Sequence, residues 1–253
     1  MAGIPLPLLL LACWPMMGEP ASYVCQAGYV LDGKFRGPPE TYSPQPGDIF
    51  LATDQALWAR VGHWLAGGAG VHHSGIMFAR SDGRMALLEA GPFNSVKVET
   101  LDPIGHMRDH VRVGDSVWIR QRRTPLTPEQ SARLTAFAEA QDGKPFAIWR
   151  LLGQMTPLRC RGPIRTWFEG QPHGQRSSYF CSELVMECCA AAELLDPATL
   201  RPAATYPRDL FYDWSFNWYL NEHLHLERGW YPPALWSPES HGDGIAGVNR
   251  NMR

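Results

Sequence analysis

The feature that most constrains the fold is a series of short apolar segments between residues 49 and 121, separated by turn residues. The candidate strands are residues 49–52, 73–79, 85–90, 95–100 and 116–121. No long helical pattern interrupts the chain between residues 73 and 121. Strands joined by short turns pair in antiparallel fashion, because a parallel pair needs a crossover connection of a dozen or more residues. The sequence therefore predicts an antiparallel sheet in this region.

Several segments have the apolar spacing of helices. These are residues 54–65, 128–141, 146–154 and 181–195. The second begins with Thr127-Pro128-Glu129-Gln130, in which the threonine can cap, the proline suits the first helical position and the glutamine can complete a capping box. The fourth is the clearest, since it carries one apolar stripe and is followed by Asp196-Pro197. Sheet and helices together predict an α+β fold.

The composition is that of a folded chain of 253 residues, because 45% of them are hydrophobic and 19% are charged. This length fits one globular domain, or one domain with added segments. The formal net charge is -2, from 23 basic and 25 acidic residues. A nucleic-acid partner is not expected, since it would need a basic excess on one face. No apolar run reaches the ~18 residues that a membrane-spanning helix needs.

The N-terminus has the apolar core of an export signal. Residues 4–13 read IPLPLLLLAC, and small residues follow. The string that ends at Cys13 also resembles a bacterial lipoprotein processing site, and the alternative is an N-terminal helix or strand packed on the domain. We expect residues 1–21 to be a signal or lipoprotein-type segment, residues 22–236 to form the domain and residues 237–253 to be a polar tail. The protein is then expected in the periplasm or cell envelope, with lipid attachment at Cys13 as an option.

The cysteines do not have the spacing of a metal site or a disulfide scaffold. They lie at positions 13, 25, 160, 181, 188 and 189. There is no Cys-x-x-Cys pair, and the density is too low for a disulfide framework. In an exported protein, Cys25 and Cys160 would be able to pair. Cys188 and Cys189 lie on the apolar stripe of the last predicted helix, as small buried hydrophobic residues do.

Cys181 differs from the other cysteines because it begins the clearest predicted helix, after a long loop. A helix N-terminus offers unpaired backbone N–H groups and the positive end of the helix dipole, and both favour a thiolate. The backbone N–H of Cys181 can also donate to an oxyanion that forms beside it. The alternative is again a small buried residue, although a helix start tends to face solvent. We expect Cys181 to be a nucleophile.

A thiol nucleophile needs a base, and His73 is the best candidate. The run from His72 to Ile76 follows a glycine-rich loop and starts a predicted strand, where catalytic side chains are often displayed. The weaker candidates lie in polar or C-terminal contexts: His106, His110, His173, His223, His225 and His241. A third group should orient the imidazole. Glu89 suits this role as an acid inside an apolar strand, unless it simply faces solvent.

The register of the two strands decides whether His73 and Glu89 can meet. A two-residue Asp82-Gly83 turn would place them on opposite faces of the sheet. A three-residue loop, Ser81 to Gly83 with the glycine left-handed, would pair Arg80 with Arg84 and place them on one face. We predict the three-residue loop.

Taken in order along the chain, these motifs resemble the permuted papain-like hydrolases of the NlpC superfamily, in particular the YaeF/YiiX-like group. The motifs that carry the resemblance are Pro46-Gly47-Asp48-Ile49, His73-Ser74-Gly75-Ile76, Leu88-Glu89-Ala90, Gly143-Lys144-Pro145-Phe146, Phe180-Cys181-Ser182-Glu183-Leu184-Val185 and Tyr206-Pro207-Arg208-Asp209-Leu210. In ordinary papain-like enzymes the cysteine helix precedes the histidine strand, and here the order is reversed. Lecithin:retinol-acyltransferase-like proteins share the permuted order but typically carry Asn-Cys-Glu-His, which is absent here.

The resemblance implies a permuted papain-like fold, in which an antiparallel sheet or small barrel packs against helices and the nucleophile stands at a helix N-terminus. It implies Cys181 as nucleophile, His73 as base and Glu89 as the residue that orients the base. The expected reaction is hydrolysis of an amide or ester bond through a thioester, as in a peptidase or amidase, with no cofactor.

Several alternatives remain open at the level of the sequence. The substrate is either a cell-wall peptide or a lipid-linked amide or ester, and the second would suit a peripheral or anchored membrane protein and a lipid hydrolase or acyltransferase. A non-catalytic peptide- or lipid-binding protein on the same fold is a further alternative. A metal site of His72, His73 and Cys181 is disfavoured, because no pair has structural-zinc spacing. The aromatic segment 211–236 is expected to pack on the core rather than line an apolar substrate groove.

Overall fold

The computed structural model describes residues 22–25, 28–34, 37–54, 70–91, 95–154 and 173–240, and the structural statements below concern these residues. The strands are β1 (Tyr23–Cys25), β2 (Pro39–Thr41), β3 (Ile49–Ala52), β4 (His73–Ala79), β5 (Met85–Gly91), β6 (Lys97–Leu101), β7 (Val117–Arg120) and β8 (Ala234–Ser237). They form one sheet of eight strands in the spatial order β2-β1-β8-β7-β3-β4-β5-β6. All neighbouring strands are antiparallel, so the predicted antiparallel sheet is confirmed.

Six α-helices accompany the sheet within the described ranges, so the fold is α+β. They are α1 (Pro103–Arg112), α2 (Pro128–Gln141), α3 (Ile148–Gln154), α4 (Cys181–Ala191), α5 (Pro207–Tyr212) and α6 (Trp218–His223). Helix α2 begins with the predicted capping box. The Thr127 hydroxyl accepts from the Gln130 N–H at 3.2 Å, and the Gln130 side-chain oxygen accepts from the Thr127 N–H at 3.1 Å. None of the described helices is long and apolar enough to cross a membrane.

The sheet is covered on both faces, which explains why its central strands are apolar on both sides. On one face, Ile76 and Leu88 pack with Leu184 and Val185 of α4. On the other face, Met77 and Leu87 pack in a second apolar cluster with Ile104 and Met107 of α1. His73 and Glu89 have the strand parity of Met77 and Leu87, so they belong to the face that α1 covers.

The β4–β5 hairpin has the predicted three-residue loop. The Arg80 N–H donates to the Arg84 carbonyl at 2.8 Å, and Gly83 lies in the left-handed region with a φ of 84°. Gly75 stands opposite Glu89 in the ladder. This register places His73 opposite Gly91, on the face that carries Glu89, as the sequence predicted.

Two helices differ from the sequence prediction. Helix α1 was not predicted, although the Asp102 carboxylate caps it by accepting from the Gly105 N–H at 2.6 Å. Helix α4 was predicted to reach residue 195 and ends at Ala191. Glu193 takes a left-handed φ of 53°, and the Leu194 N–H turns back to the Cys189 carbonyl at 2.8 Å. The predicted segment 1–21, residues 55–65 of the first predicted helix and Cys160 lie outside the described residues.

The aromatic C-terminal segment packs onto the core, as expected. Phe211, Trp230 and Trp236 are fully buried. Strand β8 contributes Trp236 and lies between β1 and β7 in the sheet. A few aromatic side chains of this segment remain exposed, namely Trp214, Phe216, Trp218 and Tyr231. The segment is therefore mainly structural and completes the sheet.

Candidate active site

Cys181 is the first residue of α4, as the sequence predicted. Phe180 precedes it in extended conformation, and the Glu183 carboxylate accepts from the Phe180 N–H at 3.4 Å, which is the return half of a capping box. Ser182 anchors the same turn, because its hydroxyl donates to the Thr205 carbonyl at 2.7 Å. Cys181 therefore lies at a fixed helix N-terminus, with 7% of its surface exposed.

Two buried glutamates of α4 hold the chain that leads into Cys181. Glu183 Oε1 lies 2.6 Å from Arg150 Nη1 and 3.0 Å from Arg176 Nε. Glu187 Oε2 accepts from His173 Nδ1 at 2.6 Å, and the same carboxylate accepts from the Gly174 N–H. Burial raises the pKa of Glu183, and the two arginines oppose the shift. These contacts are the reason that acidic residues stand on the inner side of an otherwise apolar helix.

His73 and Glu89 form a buried pair beside Cys181. His73 Nε2–H donates to Glu89 Oε2 at 2.8 Å, which leaves Nδ1 for the hydrogen bond between the ring and Cys181. Burial acts to lower the pKa of His73, but the Glu89 carboxylate and the contact with Cys181 outweigh it and raise the pKa to about 10. Burial acts to raise the pKa of Glu89, and the His73 charge and the hydrogen bonds from His106 and His73 bring it well below its usual range.

Two glycines set the position of the His73 ring. A Cβ on Gly91 would lie 2.5 Å from Cε1 of His73, so this position leaves room only for glycine while the ring stays where it is. A Cβ on Gly75 would lie 2.9 Å from the Leu88 carbonyl oxygen. The His-x-Gly spacing of the strand therefore has a packing reason, because Gly75 lets β5 bring Glu89 close to His73.

The structure also brings two histidines to Glu89 that the sequence ranked as weak candidates. His106 Nε2 lies 2.9 Å from Glu89 Oε2, and His110 Nε2 lies 3.2 Å from His106 Nε2. Asp115 closes the series by accepting from His110 Nδ1–H at 2.8 Å. Burial is the main cause that lowers the pKa of His110, against the opposing hydrogen bond to Asp115. The signal in the sequence was Asp102-Pro103, a helix start that places His106 and His110 one turn apart.

One atom from each of Glu89, His106 and His110 lies within 4.8 Å of the others, and these three buried residues can hold a metal ion. The metal site considered in the sequence analysis used a different set of residues, His72, His73 and Cys181. His72 of that set points elsewhere, since its Nδ1 accepts from the Asp54 N–H at 3.0 Å.

The remaining cysteines of α4 match the interpretation as buried hydrophobic residues. Cys188 and Cys189 are fully buried. Burial raises the pKa of the Cys188 thiol well above its usual value and that of Cys189 to about 12. Of the three cysteines on this helix, only Cys181 contacts a basic side chain by hydrogen bond.

Comparison with solved structures finds a crystal structure of metalloprotein yiiX from Escherichia coli O157:H7. The match covers 60% of this chain and 67% of that chain, with 22% sequence identity and a TM-score of 0.40. The chain is similar to a YiiX protein. The match assigns neither an activity nor a ligand to the present chain. No family model matches the chain, and the search of curated proteins found no match.

Proposed function

We propose that this protein is a cysteine hydrolase of the permuted papain-like kind, which cleaves an amide or ester bond through a thioester on Cys181. The observation that carries the proposal is the continuous hydrogen-bonded series from the Cys181 thiol through the His73 ring to the Glu89 carboxylate. A nucleophile, a base and a group that orients the base are the three parts that this chemistry requires. The series begins at a helix N-terminus, which favours a sulfur anion.

In the proposed reaction, His73 already holds the proton of the Cys181 thiol, in keeping with its raised pKa, and the sulfur attacks the substrate carbonyl carbon. The new C–S bond gives a tetrahedral oxyanion, and the backbone N–H of Cys181 is placed to donate to it. As the C–N or C–O bond breaks, His73 gives its proton to the leaving amine or alcohol. Water then attacks the thioester, passes a proton to His73, and releases the acid while the thiol is restored. Glu89 holds the ring by accepting from Nε2–H throughout.

Two substrate classes fit this reaction. We place a peptide-type amide first, in keeping with an exported hydrolase whose N-terminus reads as a signal or lipoprotein-type segment. A lipid-linked amide or ester is the second class. It is favoured by the exposed fractions of Trp214, Phe216 and Trp218, which are 49%, 62% and 55%, since aromatic rings on a surface suit a membrane interface.

The test is a comparison of thiol labelling and turnover in three proteins. Iodoacetamide labelling of the folded chain at pH 7, followed by peptide mapping, should modify Cys181 before Cys25, Cys188 and Cys189, because those three are fully buried. We expect His73→Ala to slow labelling of Cys181 at least tenfold, and the matched variant His72→Ala to label at the wild-type rate. A panel of peptide amides and lipid esters, with and without vesicles, then identifies the substrate class.

Cys181→Ser should abolish turnover on any substrate that the wild-type protein cleaves, while the thermal unfolding curve stays close to that of the wild type. Full turnover in this variant would refute the thioester mechanism. Equal labelling of Cys181 in the wild-type and His73→Ala proteins would indicate that His73 is not its base. Wild-type labelling with no turnover on the whole panel would favour the alternative of a non-catalytic peptide- or lipid-binding protein.

A further inference from the structure

We propose that Glu89, His106 and His110 bind a divalent transition-metal ion of the zinc class. The proposal concerns a binding site of this chain beyond the hydrolase chemistry, and it does not require Cys181. Its three ligand atoms are the Glu89 carboxylate oxygen and the Nε2 atoms of the two histidines, all within 4.8 Å of one another.

The hydrogen atoms in this cluster are too few for the groups that meet there. Asp115 accepts from His110 Nδ1–H at 2.8 Å, so in the neutral ring the His110 Nε2 atom carries a lone pair. That lone pair faces His106 Nε2 at 3.2 Å, and His106 Nε2 also faces Glu89 Oε2 at 2.9 Å. His106 Nε2 carries at most one proton, and that proton would have to be shared between the Glu89 oxygen and the His110 nitrogen. A cation at the centre would instead take an electron pair from all three atoms.

The spacing fits a small metal ion. Ligands at about 2.0–2.1 Å from zinc stand about 3.3 Å apart at the corners of a tetrahedron. Glu89 Oε2 and His110 Nε2, at 2.9 Å and 3.2 Å from His106 Nε2, therefore need to move outward by less than about half an ångström. His106 and His110 are four residues apart on α1, a spacing that places two imidazoles on one helix face for a shared metal.

The surroundings also match those of a metal ligand set. A histidine that binds a metal commonly donates its other ring nitrogen to a carboxylate, which fixes the ring and its tautomer. His110 has this partner in Asp115. The three ligand residues are buried, with 1%, 5% and 2% exposure for Glu89, His106 and His110, so water competes little for the ion. Two imidazoles and one carboxylate suit zinc and neighbouring divalent metals better than calcium or magnesium.

The test is direct metal binding by the full chain. Protein freed of metal with a chelator is titrated with Zn²⁺ by calorimetry, and bound metal is measured by elemental analysis after gel filtration. We expect one Zn²⁺ per chain, loss of at least 100-fold in affinity in His106→Ala and His110→Ala, and about a 10- to 100-fold loss in Asp115→Asn. His223→Ala, a histidine of α6 outside the cluster, should bind Zn²⁺ like the wild type.

Circular dichroism of each variant separates loss of the site from loss of the fold, and Asp115→Asn keeps the three ligands if an alanine variant fails to fold. Cobalt(II) absorption adds a second readout, since its visible bands report nitrogen and oxygen ligands. Absence of stoichiometric Zn²⁺ in the wild type, or unchanged affinity in a folded His106→Ala or His110→Ala protein, would overturn the proposal. Cys181→Ser should bind Zn²⁺ normally, so a failure of the hydrolase proposal would leave this result unaffected.

Discussion

Replacement of Gly91 by alanine tests how closely the candidate site depends on packing. Gly91 stands beside the His73 ring, and an added Cβ would lie 2.5 Å from Cε1, 3.0 Å from Nδ1 and 3.5 Å from Nε2. Its backbone is not in the left-handed region, so alanine meets no conformational barrier there. The effect of Gly91→Ala therefore falls on the imidazole rather than on the strand.

The size of the effect follows from these distances. Ordinary contact between carbon atoms begins near 3.4 Å, so Cε1 has to withdraw by about 1 Å. Because Cε1 lies between the two ring nitrogens, this shift disturbs the bond to Glu89 and the contact with Cys181 together. A misplacement of about 1 Å can cost about 100-fold in rate. We expect a loss of that order in turnover and about a tenfold loss in Cys181 labelling, with the unfolding midpoint within a few degrees of the wild type.

The assay is iodoacetamide labelling of Cys181 at pH 7 by peptide mapping, with thermal unfolding measured in parallel. Gly28→Ala is the control, because a Cβ at Gly28 meets nothing within 4 Å, and it should label at the wild-type rate. Wild-type labelling by a folded Gly91→Ala protein would refute the argument that the ring position governs Cys181. A large loss of stability would show instead that the His73 ring cannot move away and that strand β5 is distorted.

Other predictions follow from the packing, the buried charge and the helix caps. Gly75→Ala should lower the free energy of unfolding by about 1–3 kcal/mol in urea, since its Cβ would lie 2.9 Å from the Leu88 carbonyl, which is backbone and cannot turn away. Burial is the main cause that raises the pKa of Asp48 from its usual 3.8 to about 6, so the folded state binds the proton more tightly. The free energy of unfolding should then fall by about 3 kcal/mol as the pH rises from about 4 to about 6, and Asp48→Asn should lack this decrease in urea titrations across that range. Thr127→Ala should cost about 1 kcal/mol of stability by thermal unfolding, because it removes half of the capping box.

The sequence predicted the parts of the structure whose geometry depends only on residues close together in the chain. The turn residues Ser81 to Gly83 determine the register of β4 and β5, and this register places His73 and Glu89 on one face. The capping box at Thr127 is likewise contained in four consecutive residues. The placement of Cys181 at a helix start follows from the apolar stripe formed by the residues that come after it. Each of these predictions needed only neighbours along the chain.

The parts that were missed depend on contacts between distant segments. Helix α1 is short, and its two histidines become candidate site residues only because Glu89 of β5 lies beside them. No local sequence pattern reveals that contact. The end of α4 was misplaced because Glu193 takes the left-handed position that glycine usually signals. Glu183 and Glu187 of α4 likewise find their partners Arg150 and His173 outside the helix, and no local pattern predicts these pairs.

The position of β8 bears on the order in which the chain can fold during synthesis. Strand β1 leaves the ribosome early, yet its neighbour in the sheet is β8, with Tyr23 paired to Ser237. The β4–β5 hairpin and α1 are close in sequence and can assemble while translation continues, because short loops close quickly. Strand β1 can pair with β2 early, but its other edge has to stay open until β8, the last described strand, is made. Nascent chains are therefore exposed to mispairing at this edge of β1 for most of their synthesis, and a chaperone that covers strand edges would act there first.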